Sequence, residues 1–266
     1  MAKRNIMNDK NMPDISPTGK LYKYRMLLCI SVLIFISALL VRMIKIVLDP
    51  SLPRDGALYL LHVEHWIDTG DYYFNFFDRV KLPPPFPLWI IKKMTLAGFN
   101  SEIAGRSISM FFGSLVPVVA FLFTFRVCRN IRIAILAALL LVIQPDLVLY
   151  SGQPLRENTY LFFNGMLLLM FAEIMIKDSI LKWGACGIFL ALSAFCRSEA
   201  LEFLVIIPLF LAALFLFKKI KLKEAVLNAA AFFLFLCLTS VLLWSCTDFE
   251  TRLIPGSLLR IINKII

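Results

Sequence analysis

MLLCISVLIFISALLVRMIKIVL, residues 26–48, is the stretch whose reading decides the fold class. Apolar runs of about 18 or more residues with few charges read as transmembrane helices. In lipid every backbone amide must be paired internally, so such a run is a helix. The composition agrees along the whole chain. Hydrophobic residues make up 60%, charged residues 17%, and the mean hydropathy is +0.80. Soluble domains hold only about 45–50% apolar residues. Further runs follow at 106–125, 133–149, 159–176, 183–195, 201–217 and 225–244. The expected fold class is therefore an all-α integral membrane bundle of about seven transmembrane helices. The run at 183–195 is short and needs neighbouring residues or local bilayer thinning to span.

Charge sets an expected orientation. Lys3, Arg4, Lys10, Lys20, Lys23 and Arg25 precede the first run. Arg126, Arg129 and Arg132, then Lys177 and Lys182, then Lys218, Lys219, Lys221 and Lys223 fall in loops on the same side. The opposite loops are poorer in cations, with Arg156 in one and Arg197 in another. The positive-inside rule places the N terminus in the cytoplasm. Asp55, Glu157 and Arg197 then share the external face of a plasma (inner) membrane. Residues 1–25 read as a cytoplasmic basic tail, 26–246 as the transmembrane domain and 247–266 as a short external tail, the product of truncation. The polar tail and the long first run do not form a secretory signal. A net charge of +10 suits topology and anionic lipid. The cations are too dispersed for nucleic acid binding. The six cysteines lack C-x-x-C spacing and read as small buried hydrophobes, with Cys196 and Cys246 near enough to one face to pair.

The connection 49–105 is the one long loop, and long loops tend to be functional. It opens Asp49-Pro50-Ser51-Leu52-Pro53-Arg54-Asp55-Gly56. Two readings of Asp55 stand: a carboxylate that stabilises a helix start, or a catalytic group held at the membrane surface. From Asp55 to Asp68, Ala57, Leu58, Leu60, Leu61, Val63 and Trp66 form an apolar face, and Gly70 ends the segment. This predicts an amphipathic helix lying in the interface. Asp55, Tyr59, His62 and Trp66 share one stripe. The aromatics Tyr72, Tyr73, Phe74, Phe76 and Phe77 suit interfacial anchoring, with sugar stacking as the other use. Pro83, Pro84, Pro85 and Pro87 predict an extended path, followed by a short helix over 88–97 ending at Gly98, with Ser101 capping the next span.

Asp55 and Tyr59 follow the first span, then come Lys81, Pro83, Pro84 and Trp89. Gly98 to Arg106 with Gly113 and Ser114 continue the pattern, and Pro145, Ser151, Arg156 and Glu157 complete it. In this order and spacing the chain resembles the N-terminal half of a GT-C glycosyltransferase, of the protein O-mannosyltransferase and lipid A aminoarabinose transferase type (glycosyltransferase family 39). The resemblance covers roughly Ile30 to Phe217. The resemblance implies sugar transfer from a polyprenyl-phosphate carrier to a lipid, glycan or protein hydroxyl on the external face. It implies that Asp55 is the general base or positions the acceptor, that Tyr59 and Lys81 line the donor-phosphate site, and that Glu157 is a second acid. Gly56 stands where the family often has another acid, and the family has more spans than this chain, so a partner supplying helices is one expectation.

The chemistry asks for a base at the acceptor oxygen and cations at the departing phosphate. Asp55 suits the first; Lys81, Arg156, Arg197 and Arg54 suit the second. Arg197 has an alternative in pairing with Glu199 or Glu202, and Arg156-Glu157 in a plain interfacial turn. His62, Glu64 and His65 lack the H-E-x-x-H spacing, so no metal ligands are assigned; the cofactor stays open, a divalent ion included. No glycine-rich phosphate loop is present, which disfavours a nucleotide-sugar donor. The competing classes are a truncated, non-catalytic relative and a polytopic transporter or flippase-like protein.

Overall fold

The computed structural model describes residues 17–70, 85–217 and 221–246. The aromatic stretch at 72–77, Lys81, Pro83 and Pro84 lie outside the described residues. The described chain is helical throughout, with no strand among the described residues. Ten α-helices follow one another: α1 (Pro17–Leu48), α2 (Arg54–Thr69), α3 (Pro85–Leu96), α4 (Ser101–Cys128), α5 (Ile131–Ile143), α6 (Pro145–Ser151), α7 (Glu157–Ile176), α8 (Ile180–Ala194), α9 (Phe203–Leu216) and α10 (Leu222–Cys246). A 3₁₀ turn, Ser198–Glu202, leads into α9.

Five of these segments are long and apolar enough to cross a membrane: Tyr24–Leu48, Ser101–Cys128, Glu157–Ile176, Ser198–Leu216 and Leu222–Ser245. A sixth is available only if α5 and α6 count as one, and they meet at a 56° bend. The run at 133–149 is therefore not the single helix its hydropathy predicts. Pro145 has no amide hydrogen to continue the ladder, and Gln144 before it is pushed to an extended conformation (φ −60°, ψ 121°). The short run expected at 183–195 is α8, below spanning length by this measure. Leu33, Val205, Leu209, Val241 and Leu242 expose their side chains on the outer faces of α1, α9 and α10. Such surfaces fit lipid, since the chain is an integral membrane protein.

α4 is the hub, touching α1, α2, α3, α5, α6 and α7. Its start differs from expectation. Asn100, not Ser101, is the cap: its side-chain oxygen accepts from the Glu102 and Ile103 amides at 2.9 and 3.3 Å. Ser101 is already inside the helix, and its hydroxyl donates to Glu64 on α2 at 2.7 Å. α3 likewise begins earlier than expected, at Pro85. Prolines are tolerated in a first turn, where amide hydrogens have no partner anyway. Gly70 and Gly98 end α2 and its neighbour α3 at φ +75° and +98°, as their positions suggest.

α2 is the amphipathic helix expected, but its apolar face is covered by protein. Leu60, Val63 and Trp66 pack on Leu88 and Ile91 of α3 and on Ala104 and Ile108 of α4. On the far side of the bundle, α7 to α10 enclose Leu167, Trp183, Leu190, Ile207 and Phe232. There α8 and α10 approach closely. A Cβ on Gly187 would lie 2.3 Å from the Phe232 carbonyl oxygen and 2.9 Å from the Leu236 amide nitrogen. One on Gly184 would first meet the Phe235 ring, at 2.8 Å.

Gly187→Ala is therefore expected to lower stability by about 1–3 kcal/mol, because a helix backbone has to move. Gly184→Ala should cost less, since a ring can turn. Thermal unfolding midpoints in detergent check the order; equal midpoints for both variants and wild type would contradict it.

Candidate active site

Asp55 stands in the first turn of α2, beside amides that have no carbonyl partner within the helix. Pro53, the residue before α2, is extended (φ −69°, ψ 157°). Asp55 is exposed, Tyr59 one turn later is half-buried, and His62 and Trp66 beyond it are buried. The stripe read from the sequence thus runs from open surface into the core.

The second part of the site is the 152–156 loop between α6 and α7. Its seat is built from absent side chains. A Cβ on Gly56 of α2 would lie 3.0 Å from Pro154, and one on Gly105 of α4 would lie 2.5 Å from it. Pro154 is wedged between the two helices because both lack a side chain there. The loop is also bonded to α4, since the Ser109 hydroxyl donates to the Leu155 carbonyl at 2.8 Å and accepts from the Leu155 amide at 3.1 Å. Beneath it, Arg42 of α1 donates from Nε to the Ser151 hydroxyl at 2.9 Å, and Asn158 donates to the same oxygen at 3.0 Å. The Ser151 hydroxyl itself donates to the Leu147 carbonyl at 2.6 Å. Gly113 leaves the room, since a Cβ there would be 2.2 Å from the Ser151 hydroxyl.

This seating carries Arg156 and Glu157 to α2. Tyr59 and Arg156 line one narrow crevice, with Leu88, Gly105, Ser109 and Pro154 as its walls. Burial pushes the Tyr59 hydroxyl up to about 12; Arg156 and Arg197 act against this, and Glu157 and Asp55 act with it. Charges from α2, the 152–156 loop, α7 and the segment after α8 all reach the same phenol. Arg156 and Glu157 approach within 3.7 Å, too long for a hydrogen bond. Arg156 Nε and Glu157 Oε2 are both buried, and neither has a hydrogen-bond partner among the described residues. Buried polar groups are seldom left so.

Arg197 follows α8 in extended conformation. Its Nε lies 2.9 Å from Glu199 Oε1, the self-pairing that its neighbours allow, and its guanidinium faces the Tyr160 ring at 5.8 Å. Phe86 of α3 and Phe163 of α7 pack with Cys196 just ahead of it, holding this segment at the same end of the bundle. Cys196 is a buried free thiol. At the other end of α7, Glu173 pairs with Arg126 and, at 3.5 Å, with Lys182. Glu64 bonds Ser101, and among the described residues no three His, Cys, Asp or Glu side chains gather as a metal-binding group.

The structure thus brings together Asp55, Tyr59, Arg156, Glu157 and Arg197; Lys81 lies outside the described residues. Sequence reasoning missed Arg42, Ser109, Pro154 and Tyr160. A charge inside the first apolar run was a signal for Arg42. Nothing in the sequence marks Pro154 or Ser109, whose roles depend on glycines and carbonyls of other segments.

A helical membrane bundle that gathers acids and arginines at one loop end suits a membrane glycosyltransferase, and comparison with known families agrees. Residues 83–244 match the family described as dolichyl-phosphate-mannose-protein mannosyltransferase. The match spans more than half of the 266 residues, and the chain belongs to that family, whose members are membrane glycosyltransferases of the GT-C type. Arg156, Glu157 and Arg197 fall within the matched stretch; Asp55, Tyr59 and Lys81 precede it. No curated protein matches the chain.

The Tyr59 environment predicts a pH dependence. The folded chain holds this proton to about pH 12, whereas a free tyrosine releases it near about pH 10. The stability linked to it is full below the unfolded value and is lost as pH rises through the folded one. Between these values wild type should lose thermal stability relative to Tyr59→Phe, with a constant difference at lower pH. Parallel curves for the two proteins would contradict this.

Proposed function

We propose that this chain transfers a sugar from a polyprenyl-phosphate carrier to a hydroxyl of a lipid, glycan or protein, with Asp55 as general base. The observation that carries the reading is the meeting of Asp55 and Glu157 with Arg156 and Arg197 around Tyr59, where Arg156 and Glu157 keep buried atoms unbonded. An exposed carboxylate beside half-buried cations matches what inverting transfer needs. Asp55 takes the proton of the acceptor hydroxyl as its oxygen attacks the anomeric carbon. The bond from that carbon to the phosphate oxygen breaks, and the phosphate leaves with the electron pair. Arg156 and Arg197 neutralise the charge that develops on it, Arg156 through its unbonded Nε. Tyr59 stays protonated at working pH and so acts as a hydrogen-bond donor. Glu157 holds Arg156 toward the site at 3.7 Å. Lys81 joins the phosphate ligands on the strength of the family resemblance. Among the described residues no three His, Cys, Asp or Glu side chains gather, and no step is assigned to a divalent ion.

The cation-rich N-terminal tail and loops support a cytoplasmic N terminus in the plasma membrane. The site then faces outward, where lipid-linked sugars are the available donors.

The test is sugar transfer in membranes holding this chain, supplied with a panel of polyprenyl-phosphate sugars. Wild type is expected to turn over, and Asp55→Asn at equal expression to lose about 10²–10⁴-fold in rate, the usual contribution of a general base. Full transfer by Asp55→Asn would remove the carboxylate from the mechanism. Arg156→Ala should lower kcat/KM for the donor by roughly tenfold or more, as loss of a charged hydrogen bond of about 1.5–3 kcal/mol requires. An unchanged kcat/KM for the donor would place the phosphate elsewhere.

A further inference from the structure

Arg106 is buried near the start of α4 and touches none of the residues assigned to transfer. Its guanidinium is nonetheless bonded to both segments that carry them. Nη1 donates to the Gly152 carbonyl at 2.8 Å, in the loop that leads to Arg156 and Glu157. Nη2 donates to the Pro50 carbonyl at 2.6 Å and reaches the Ser51 carbonyl at 3.4 Å, in the segment that leads to Asp55. Nε donates to Glu102 Oε1 at 2.8 Å, and that carboxylate also neutralises the charge. We propose that Arg106 is a positioning residue for sugar transfer: one planar fork that sets the Asp55 segment against the Arg156–Glu157 segment.

The proposal rests on the reading of the site as a transfer site. Pro154 holds the same two segments together, but apolar packing fixes distance better than angle. A guanidinium fork fixes both, because its donors lie in one plane at set angles. Catalytic groups have to be held within about 0.5 Å of their productive places. A misplacement of about 1 Å can lower the rate by roughly 10²-fold. Lysine in this position keeps the charge and the pairing with Glu102 but has no planar fork to span three carbonyls.

Arg106→Lys separates positioning from folding. The first readout is the distance distribution between spin labels on Ser51→Cys and Gln153→Cys, with the native cysteines replaced. It should be narrow with arginine and broad with lysine. The second is transfer kinetics at matched folded yield: kcat is expected to fall by about 10²-fold while the donor KM changes by less than about threefold. A short bis-maleimide linking the same two cysteines should restore part of the lost kcat. An unchanged distance distribution overturns the proposal, and so does a broadened one with wild-type kcat. A loss of activity that follows folded yield and is not recovered by the link overturns it also. Should wild type transfer no sugar, or Asp55→Asn transfer it fully, the reading of the site fails and the proposal falls with it. A fully active Arg106→Lys beside an inactive Asp55→Asn leaves the reading in place and removes Arg106 alone.

Discussion

The seat of Pro154 between Gly56 and Gly105 is the contact on which the rest of the site depends. Lipid supplies no hydrophobic force between apolar helices, so close approach has to come from small residues and polar contacts. Two glycines on different helices let one proline ring sit where side chains would otherwise stand. That brings a loop from residues 152–156 against a helix that began at residue 54, and Tyr59 meets Arg156 as a result. The same device recurs at Gly113 beneath the loop and at Gly187 between α8 and α10.

Polar side chains then hold what the glycines admit. Within the bundle an unbonded polar group has no water to turn to, so each hydrogen bond counts for more than at a wet surface. Ser151 is the clearest case: its single hydroxyl accepts from Arg42 and Asn158 and donates to Leu147, joining α1, α6 and α7 at one atom. Ser109 does the same for Leu155. Among the buried polar atoms without a hydrogen-bond partner are Arg156 Nε and Glu157 Oε2, and also Asn158 Oδ1 and Thr159 Oγ1 in the next turn of α7. α3 closes the other flank. Its Lys92 lies 4.0 Å over the Trp66 ring, and its apolar residues cover the inner face of α2, so the helix bearing Asp55 rests on protein. A catalytic group on a docked helix keeps its position better than one on a helix afloat in headgroups.

Much of this was legible in one dimension, and the failures share a cause. Every apolar run became helix, and the GT-C resemblance agrees with the family match. The break at Pro145 was visible as a proline but was outweighed by the hydropathy on either side. Asn100 and Ser101 are both good capping residues, and only the fold shows that Ser101 is committed to Glu64. The apolar face of α2 was correctly found, yet a face that suits lipid suits a neighbouring helix equally well. Arg197 kept two readings, and the structure shows it paired with Glu199 while still close enough to act on Tyr59.

Run length and hydropathy are properties of the chain alone, so the amino-acid order was enough to establish a polytopic helical membrane protein and to suggest its family. It was also enough to nominate Asp55, Tyr59, Arg156, Glu157 and Arg197 one at a time. Whether they meet was settled only in three dimensions. Their meeting depends on how closely α2, α4 and the 152–156 loop pack, and that closeness is set by Gly56, Gly105 and Pro154 acting together from separate parts of the chain. No local pattern encodes a contact of that kind, because each of its members is an ordinary residue until the others arrive.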